Sequence, residues 1–241
     1  MTKQTVIELR DVWKTYFLGE NRLDVLKGVN LSIKKGEFVA IMGRSGSGKS
    51  TAMNLIGALD IPTKGKIYLD KHDISKLSES DLAQIRGKKI GFIFQQFNLI
   101  NTLSALENVA LPMVFQGIER DERLEIGRKL LQMVGLQERI NHRPTELSGG
   151  EQQRVAIARS LANDPEVILA DEPTGNLDTK TGEIVIEFLK KLNKKGKTII
   201  MVTHDAELAE KHATVVYWLR DGALEKVTKK GKVILRASNF P

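Results

Sequence analysis

The sequence predicts an α/β fold in which helices wrap a mostly parallel sheet. A short apolar run at Glu37–Met42 is bounded by glycines, as expected for a buried strand. Similar β-rich runs recur at Ile90–Phe94, Val167–Ala170 and Thr198–Thr203, with helical patterns between them. Buried strands that alternate with helices are typical of a parallel sheet.

The amino-terminal part of the chain departs from this pattern. Polar residues interleave with apolar ones in three strand-like runs, Thr5–Val12, Leu26–Ile33 and Lys66–Leu69. Such alternation is typical of a sheet with one solvated face. We therefore expect an antiparallel β subdomain beside the core.

A helical insertion is predicted between about residues 96 and 161, where the β signal fades. Helical stretches at Arg120–Val134 and Glu151–Ala162 lie within it, and strand character returns afterwards. The 241 residues are thus expected to form one domain. Its α/β core, which includes the antiparallel β subdomain, takes about residues 1–95 and 162–221, the helical subdomain about 96–161, and a basic tail 222–241.

Composition limits the possible locations of the chain. There are no cysteines, which excludes disulfides and thiolate metal sites. No secretory signal is recognised at the start, and no apolar stretch approaches the roughly 20 residues of a membrane helix. The net charge is +7, and lysine pairs are spread along the chain, which favours a solvated surface over attraction to an anionic membrane face or to nucleic acid. Any membrane association is expected to come through a partner.

A phosphate-binding loop directly follows the first buried strand. It consists of Gly43, Arg44, Ser45, Gly46, Ser47, Gly48, Lys49 and Ser50, and a helical stretch beginning at Thr51 and ending near Leu59 follows. This matches the P-loop pattern, in which backbone N–H groups and a helix amino terminus cradle phosphates. Lys49 is expected to reach the β- and γ-phosphates, and Ser50 to bind Mg²⁺.

An acidic pair follows the apolar strand Val167–Ala170. Ligands bind near the carboxyl ends of strands in open parallel sheets, so Asp171 is placed to hold Mg²⁺. Glu172 precedes Pro173, which predicts an extended backbone there and a carboxylate aimed at the γ-phosphate region. Glu172 is therefore the predicted base for an attacking water.

A second helix entrance carries features of an anion site. Ser148 and Glu151 have the spacing of a capping box that opens a helix. The two glycines between them, Gly149 and Gly150, are not needed for the cap, and they favour close approach of a large anion to the backbone. One nucleotide does not require two such sites in one chain.

The segment LSGGEQQR resembles the signature of ATP-binding-cassette (ABC) ATPases, and the other landmarks of that family follow in order over nearly the whole chain. The resemblance implies a P-loop NTPase (RecA-like) core that hydrolyses ATP with Mg²⁺. It identifies Tyr16 as the adenine-stacking aromatic and Gln95 as the glutamine that meets Mg²⁺ and the attacking water. Asn176–Asp178 resembles the loop that crosses the dimer interface, and His204 resembles the switch histidine at the γ-phosphate.

The resemblance also implies an assembly. Two chains would pair head to tail as an ATP-dependent homodimer, with each ATP between the P-loop of one subunit and the signature helix of the other. Glu172, Gln95, Lys49 and His204 form the expected catalytic set.

Within the family, the stretches ILADEPTGNLD and FIFQQFNLI most resemble the lipoprotein-release and macrolide-export (LolD/MacB-like) group. That likeness implies a separate membrane permease, with this chain peripheral on the cytoplasmic face of the membrane. The permease is expected to dock near Gln95–Leu103, at the apolar residues Phe97, Leu99, Ile100 and Leu103, for which plain subdomain core is the competing interpretation. A cell-division ATPase that acts on a periplasmic hydrolase through a membrane partner is a close alternative.

DNA-associated ABC ATPases form a more distant alternative. Their two ATP-binding halves are separated by a long coiled coil, whereas Gln95 and Ser148 are joined here by a short segment without heptads. No nucleic-acid partner is therefore expected.

Overall fold

The computed structural model describes residues 4–236, which form two compact units. The first unit contains the residues up to 84 and those from 193 on, and the second contains residues 85–192. In chain order the elements are β1 (Thr5–Leu18), β2 (Asn21–Lys34), β3 (Phe38–Met42), α1 (Lys49–Ile56), β4 (Lys64–Leu69), β5 (His72–Asp73), α2 (Glu79–Lys89), β6 (Ile90–Ile93), α3 (Ala105–Val114), α4 (Arg120–Met133), α5 (Gly149–Ser160), β7 (Val167–Asp171), α6 (Thr179–Lys194), β8 (Thr198–Thr203), α7 (Ala206–His212), β9 (Val215–Arg220), β10 (Ala223–Lys229) and β11 (Lys232–Arg236). Two short 3₁₀ turns, Gln137–Arg139 and Pro144–Glu146, precede α5.

The first unit contains two β structures. One is an antiparallel sheet in the order β2-β1-β4-β5, which confirms the predicted antiparallel subdomain. In the other, β3 lies between β8 and β9 and pairs with both in parallel, and an antiparallel run then continues through β10 and β11. All residues of β3 and β8 are buried, as their uninterrupted apolar runs predict. The P-loop therefore follows one of the two fully buried strands of this unit.

The second unit combines two parallel strands with helices. Strand β6 pairs with β7 in register from Ile90 opposite Val167 to Ile93 opposite Ala170. Helices α3, α4 and α5 fall in the segment where helices are predicted. Gly127 of α4 lies against α3 so closely that a Cβ there would come within 2.8 Å of the Leu106 side chain. The bounds of a functional helical subdomain remain a prediction.

The carboxyl-terminal segment has no position assigned by the sequence patterns. In the structure, residues 223–236 form the hairpin β10–β11, and residues 237–241 of the predicted tail lie outside the described residues. Among residues 4–236, no helix combines the length and apolar character that crossing a membrane requires.

Candidate active site

The P-loop of the first unit curls into the amino terminus of α1. Gly46 and Gly48 have φ angles of 76° and 96°, which residues with a Cβ rarely adopt. Gly48 occupies the helix cap position and supplies no side-chain hydrogen bond to it. The first-turn N–H groups of α1 are thus left to an anion, which is the arrangement that binds phosphate.

Two side chains of the loop fit a phosphate ligand. Lys49 is 8% exposed, and its Nζ donates to the carbonyl oxygens of Gly43 at 2.8 Å and Arg44 at 3.0 Å. Ser47 Oγ is buried without a hydrogen-bond partner among the described residues. Buried hydroxyls are normally paired, so this orphan donor is suited to a phosphate oxygen.

The turn between β9 and β10 is hydrogen-bonded to the P-loop. Gly222, with a φ of 82°, donates its N–H to the carbonyl of Ser47 at 3.2 Å. A Cβ on Gly43 would lie 2.4 Å from the carbonyl oxygen of Leu219, so only glycine fits where the loop leaves β3. Sequence patterns predict the loop but not this support.

Four other predicted residues lie in the first unit. Tyr16 is half-buried on β1, Ser50 and Thr51 lie in the first turn of α1, and His204 is exposed directly after β8. The Tyr16 hydroxyl donates to Asp60 at 3.0 Å.

The acidic pair of the second unit lies at the end of β7. Asp171 is the last residue of the strand, and both carboxylates are half-buried. The expectation of an extended backbone at Glu172 is wrong, because its φ is 42°, in the left-handed region. The carbonyl of Glu172 accepts the N–H of Gly175 at 3.0 Å, and closing this turn overrides the preference that Pro173 imposes.

The predicted capping box at the start of α5 is confirmed. Ser148 Oγ accepts the N–H of Glu151, and the Glu151 carboxylate accepts the N–H of Ser148 at 2.9 Å. The hydrogen bond from the Ser148 backbone is the largest of the effects that hold the pKa of Glu151 below its ordinary value. The two glycines differ: Gly149 is exposed, whereas a Cβ on Gly150 would meet Thr181 Cγ2 at 2.6 Å. Packing against α6 thus explains why residue 150 is a glycine, whereas the backbone at Gly149 is accessible to a ligand.

Gln95 and the predicted interface loop lie together. Asn176 Nδ2 donates to the carbonyl of Gln95 at 2.9 Å, and a Cβ on Gly175 would lie 2.8 Å from Gln95 Nε2. Asp178 accepts the N–H of Thr181 at 3.0 Å and its hydroxyl at 2.6 Å, which are the bonds of a helix cap at the start of α6. Asp178 therefore has a structural role in addition to any contact with nucleotide.

Arg159 of α5 was not singled out from the sequence. Its guanidinium donates to the backbone carbonyls of Phe97 and Asn98, which have φ angles of 31° and 50°. Burial lowers the pKa of Arg159. Helix α5 thus holds the strained turn just after Gln95. A contact between residues about sixty positions apart leaves no sequence pattern.

We expect Arg159→Met to destabilise the protein by about 1–3 kcal/mol, because methionine fills the space but leaves two carbonyls without a donor. Denaturant unfolding measures the effect. Arg128→Met, at an exposed position on α4, is the control and should stay within about 0.5 kcal/mol of wild type. Equal unfolding of the two variants would show that Arg159 does not hold the turn.

Gln153 is a second residue that the sequence did not single out for this role. It is fully buried on α5 and donates to the carbonyl of Pro173 at 2.6 Å, so α5 is bonded to the residue after Glu172.

A P-loop at the end of a buried parallel strand defines a nucleotide-binding α/β protein. The family model described as ABC transporter matches residues 26–175. The chain belongs to this family, and it is an ATPase and the ATP-binding subunit of an ABC transporter.

Curated relatives and solved structures indicate the same family. An uncharacterized ABC transporter ATP-binding protein of Thermotoga maritima is 52% identical over 95% of this chain and 97% of its own length. The macrolide export ATP-binding/permease protein MacB of Bdellovibrio bacteriovorus is 48% identical over 91% of this chain, which spans 33% of that protein. A dimeric structure of the cassette MJ0796 of Methanocaldococcus jannaschii, in a post-hydrolysis state bound to ADP and Pi, has a TM-score of 0.86 at 51% identity, covering 93% of this chain and 98% of that one. The resemblance to ABC ATPases and to the group that contains MacB is thereby confirmed.

Proposed function

We propose that this chain powers a separate membrane permease of the lipoprotein-release and macrolide-export kind by ATP-driven closure of a head-to-tail homodimer. The observation that carries the proposal is the pair of open helix amino termini, α1 behind the P-loop and α5 behind Ser148 and Gly149. Each can bind phosphate, and one nucleotide per chain uses only one of them. A two-fold dimer gives both termini a ligand, since each ATP then touches two chains.

The proposed roles rest on the sequence motifs and on the resemblance to ABC ATPases. Backbone N–H groups of the P-loop, from Gly43 to Thr51, would hold the phosphates together with Lys49. Glu172 would accept the proton of the attacking water, and His204 and Lys49 would stabilise the charge that develops. The partner subunit's signature helix would complete the site through residues equivalent to Ser148, Gly149, Gly150 and Glu151, with Asp178 at the interface.

The chain also offers donors for Mg²⁺. A hydroxyl, an amide oxygen and a carboxylate come from Ser50, Gln95 and Asp171, and these hard oxygen ligands suit Mg²⁺. Within residues 4–236 no cluster of three or more His, Asp or Glu side chains could hold a metal alone, which fits an ion shared with nucleotide phosphates. Bound there, Mg²⁺ would neutralise charge on the β- and γ-phosphates.

The permease is proposed to dock on the segment after Gln95. Ile100 is 42% exposed, and Phe97, Leu99 and Leu103 are half-buried, so this short segment presents apolar surface. The MacB relative, whose own name joins ATP-binding and permease parts, supports a membrane partner. The chain would then lie on the cytoplasmic face of the membrane.

Ile100→Glu tests this docking surface. We expect the stability to change by no more than about 0.5 kcal/mol, because a side chain with 42% exposure lies at the surface, where a carboxylate stays in contact with water. The ATPase rate of the purified subunit should be unchanged, whereas co-purification with an integral membrane protein should be lost. Met133→Glu, at a side chain of 48% exposure on α4, is the matched control and should keep the membrane association. Equal membrane recruitment of both variants, or unfolding by Ile100→Glu, would contradict docking at this segment.

A further inference from the structure

Tyr16 is tied to the turn that follows α1. Its hydroxyl donates to Asp60 Oδ2 at 3.0 Å, while Asp60 Oδ1 accepts from Lys14 Nζ at 2.6 Å and from the N–H of Ile61 at 2.8 Å. All of these residues lie within the first unit. The carboxylate of Asp60 thus links a tyrosine of β1 to the turn that follows α1.

The surroundings of the tyrosine ring are asymmetric. The Lys14 ammonium lies over the ring at 5.0 Å from its centroid, a cation–π distance. The Lys14 and Asp60 side chains are only 11% and 28% exposed. With one face of the ring occupied by Lys14, a nucleotide base would stack on the opposite face.

The pKa shifts of Tyr16 and Asp60 are consistent with a lasting hydrogen bond between the two side chains. Burial, and after it the Asp60 carboxylate, raises the pKa of Tyr16, which therefore keeps its hydroxyl proton. Burial alone would raise the pKa of Asp60, but hydrogen bonds from Lys14, the Ile61 N–H and Tyr16 outweigh it and lower that pKa. The donor and the acceptor thus stay in the protonation states that their bond requires.

The Tyr16–Asp60 bond is not needed to hold the turn itself. Thr63 donates its N–H to the carbonyl of Trp13 at 2.8 Å, and its hydroxyl accepts the N–H of Thr15 at 2.9 Å. These two bonds already fasten the turn to β1. The remaining consequence of the Asp60 bond is the orientation of the Tyr16 ring.

We propose that Asp60, itself held by Lys14, is a positioning residue that fixes the Tyr16 ring for stacking on the base of ATP. The inference rests on the proposed role of Tyr16 in ATP binding. Asp60 acts through Tyr16 and does not touch the phosphates, so its contribution depends on the presence of a base.

The test is a double-mutant cycle with Asp60→Asn, Tyr16→Phe and the double variant. Calorimetry measures the Kd of Mg-ATP and of Mg-tripolyphosphate, which has no base, and steady-state kinetics measure kcat and KM. Each single variant should raise the Kd and KM for ATP about three- to tenfold, the size of one hydrogen bond. The double variant should match the singles, with kcat and tripolyphosphate binding unchanged.

Asp73→Asn is the matched control. Asp73 accepts the N–H of Ser75 at 3.0 Å and lies 3.7 Å from Lys66, so it resembles Asp60 without touching Tyr16, and its loss should leave ATP affinity unchanged. Losses of ATP affinity that multiply in the double variant, or an equal loss of tripolyphosphate affinity, would overturn the positioning role of Asp60. Tyr16→Ala separates the two claims. If Tyr16→Ala lowers the ATP affinity while Asp60→Asn and Tyr16→Phe do not, only the role of Asp60 is wrong. If Tyr16→Ala leaves the ATP affinity unchanged, the stacking role of Tyr16 is wrong as well.

Discussion

Glu172→Gln should lower ATP turnover on the order of a hundredfold or more while ATP binding is kept, which is the upper part of the usual range for loss of a general base. Glutamine preserves the shape of the side chain but cannot accept a proton from water at neutral pH. Glu172 is held in a left-handed turn that its own carbonyl closes with Gly175, and this backbone bond survives the substitution.

ATP that the variant binds but does not hydrolyse should also keep the proposed homodimer closed, since hydrolysis is the step that opens the dimer. ATPase assays and gel filtration in the presence of ATP measure both effects on one sample. Glu166→Gln is the control, because Glu166 lies just before β7 and pairs with Lys89 at 3.1 Å. An active Glu172→Gln variant, or one that stays monomeric when saturated with ATP, would refute the assignment of Glu172 as the base.

Local patterns predicted much of the fold. The apolar runs of β3, β7 and β8 are bounded by polar or turn residues, and the predicted ends of each strand lie within one residue of the observed ends. The capping box at Ser148 and the P-loop were predicted for the same reason, since their hydrogen bonds join residues close in sequence. The sequence patterns do not predict the hairpin β10–β11, because the buried residues of β10 do not alternate strictly with exposed ones. Residues 232–234 of β11 are all exposed, so this strand has no buried face to mark it.

Contacts between residues that are distant in the sequence could not be predicted from local patterns. Arg159 supports Phe97, and Asp60 supports Tyr16, across 62 and 44 positions respectively. No local periodicity connects such pairs. At Glu172 a local rule gave the wrong backbone conformation, because a turn after β7 outweighs the preference set by the next proline. The catalytic role proposed for Glu172 is consistent with this failure, because local rules often fail at functional sites.

Ser148→Arg should abolish hydrolysis and leave the ATP affinity of the single subunit nearly unchanged. In the proposed dimer, a large cation at the amino terminus of α5 would obstruct the nucleotide bound by the other chain. The substitution also removes a helix cap, which by itself costs about 1 kcal/mol.

The chain supplies a matched control for the lost cap. Ser104 opens α3 with the same capping box, formed with Glu107. Ser104→Arg should therefore cause a similar loss of stability, measured by thermal unfolding, yet retain ATPase activity. If both arginine variants lose activity equally, the lost cap is responsible and the shared site is not supported.

The most direct test of the shared site is to mix Ser148→Arg chains with Lys49→Ala chains, each inactive alone, and to measure ATP hydrolysis. In a head-to-tail dimer, each mixed pair has one site with both lesions and one site with neither. Random pairing in equal amounts should then restore about a quarter of the wild-type rate if the two sites act independently. A mixture that stays as inactive as its separate components would contradict a site shared between two chains.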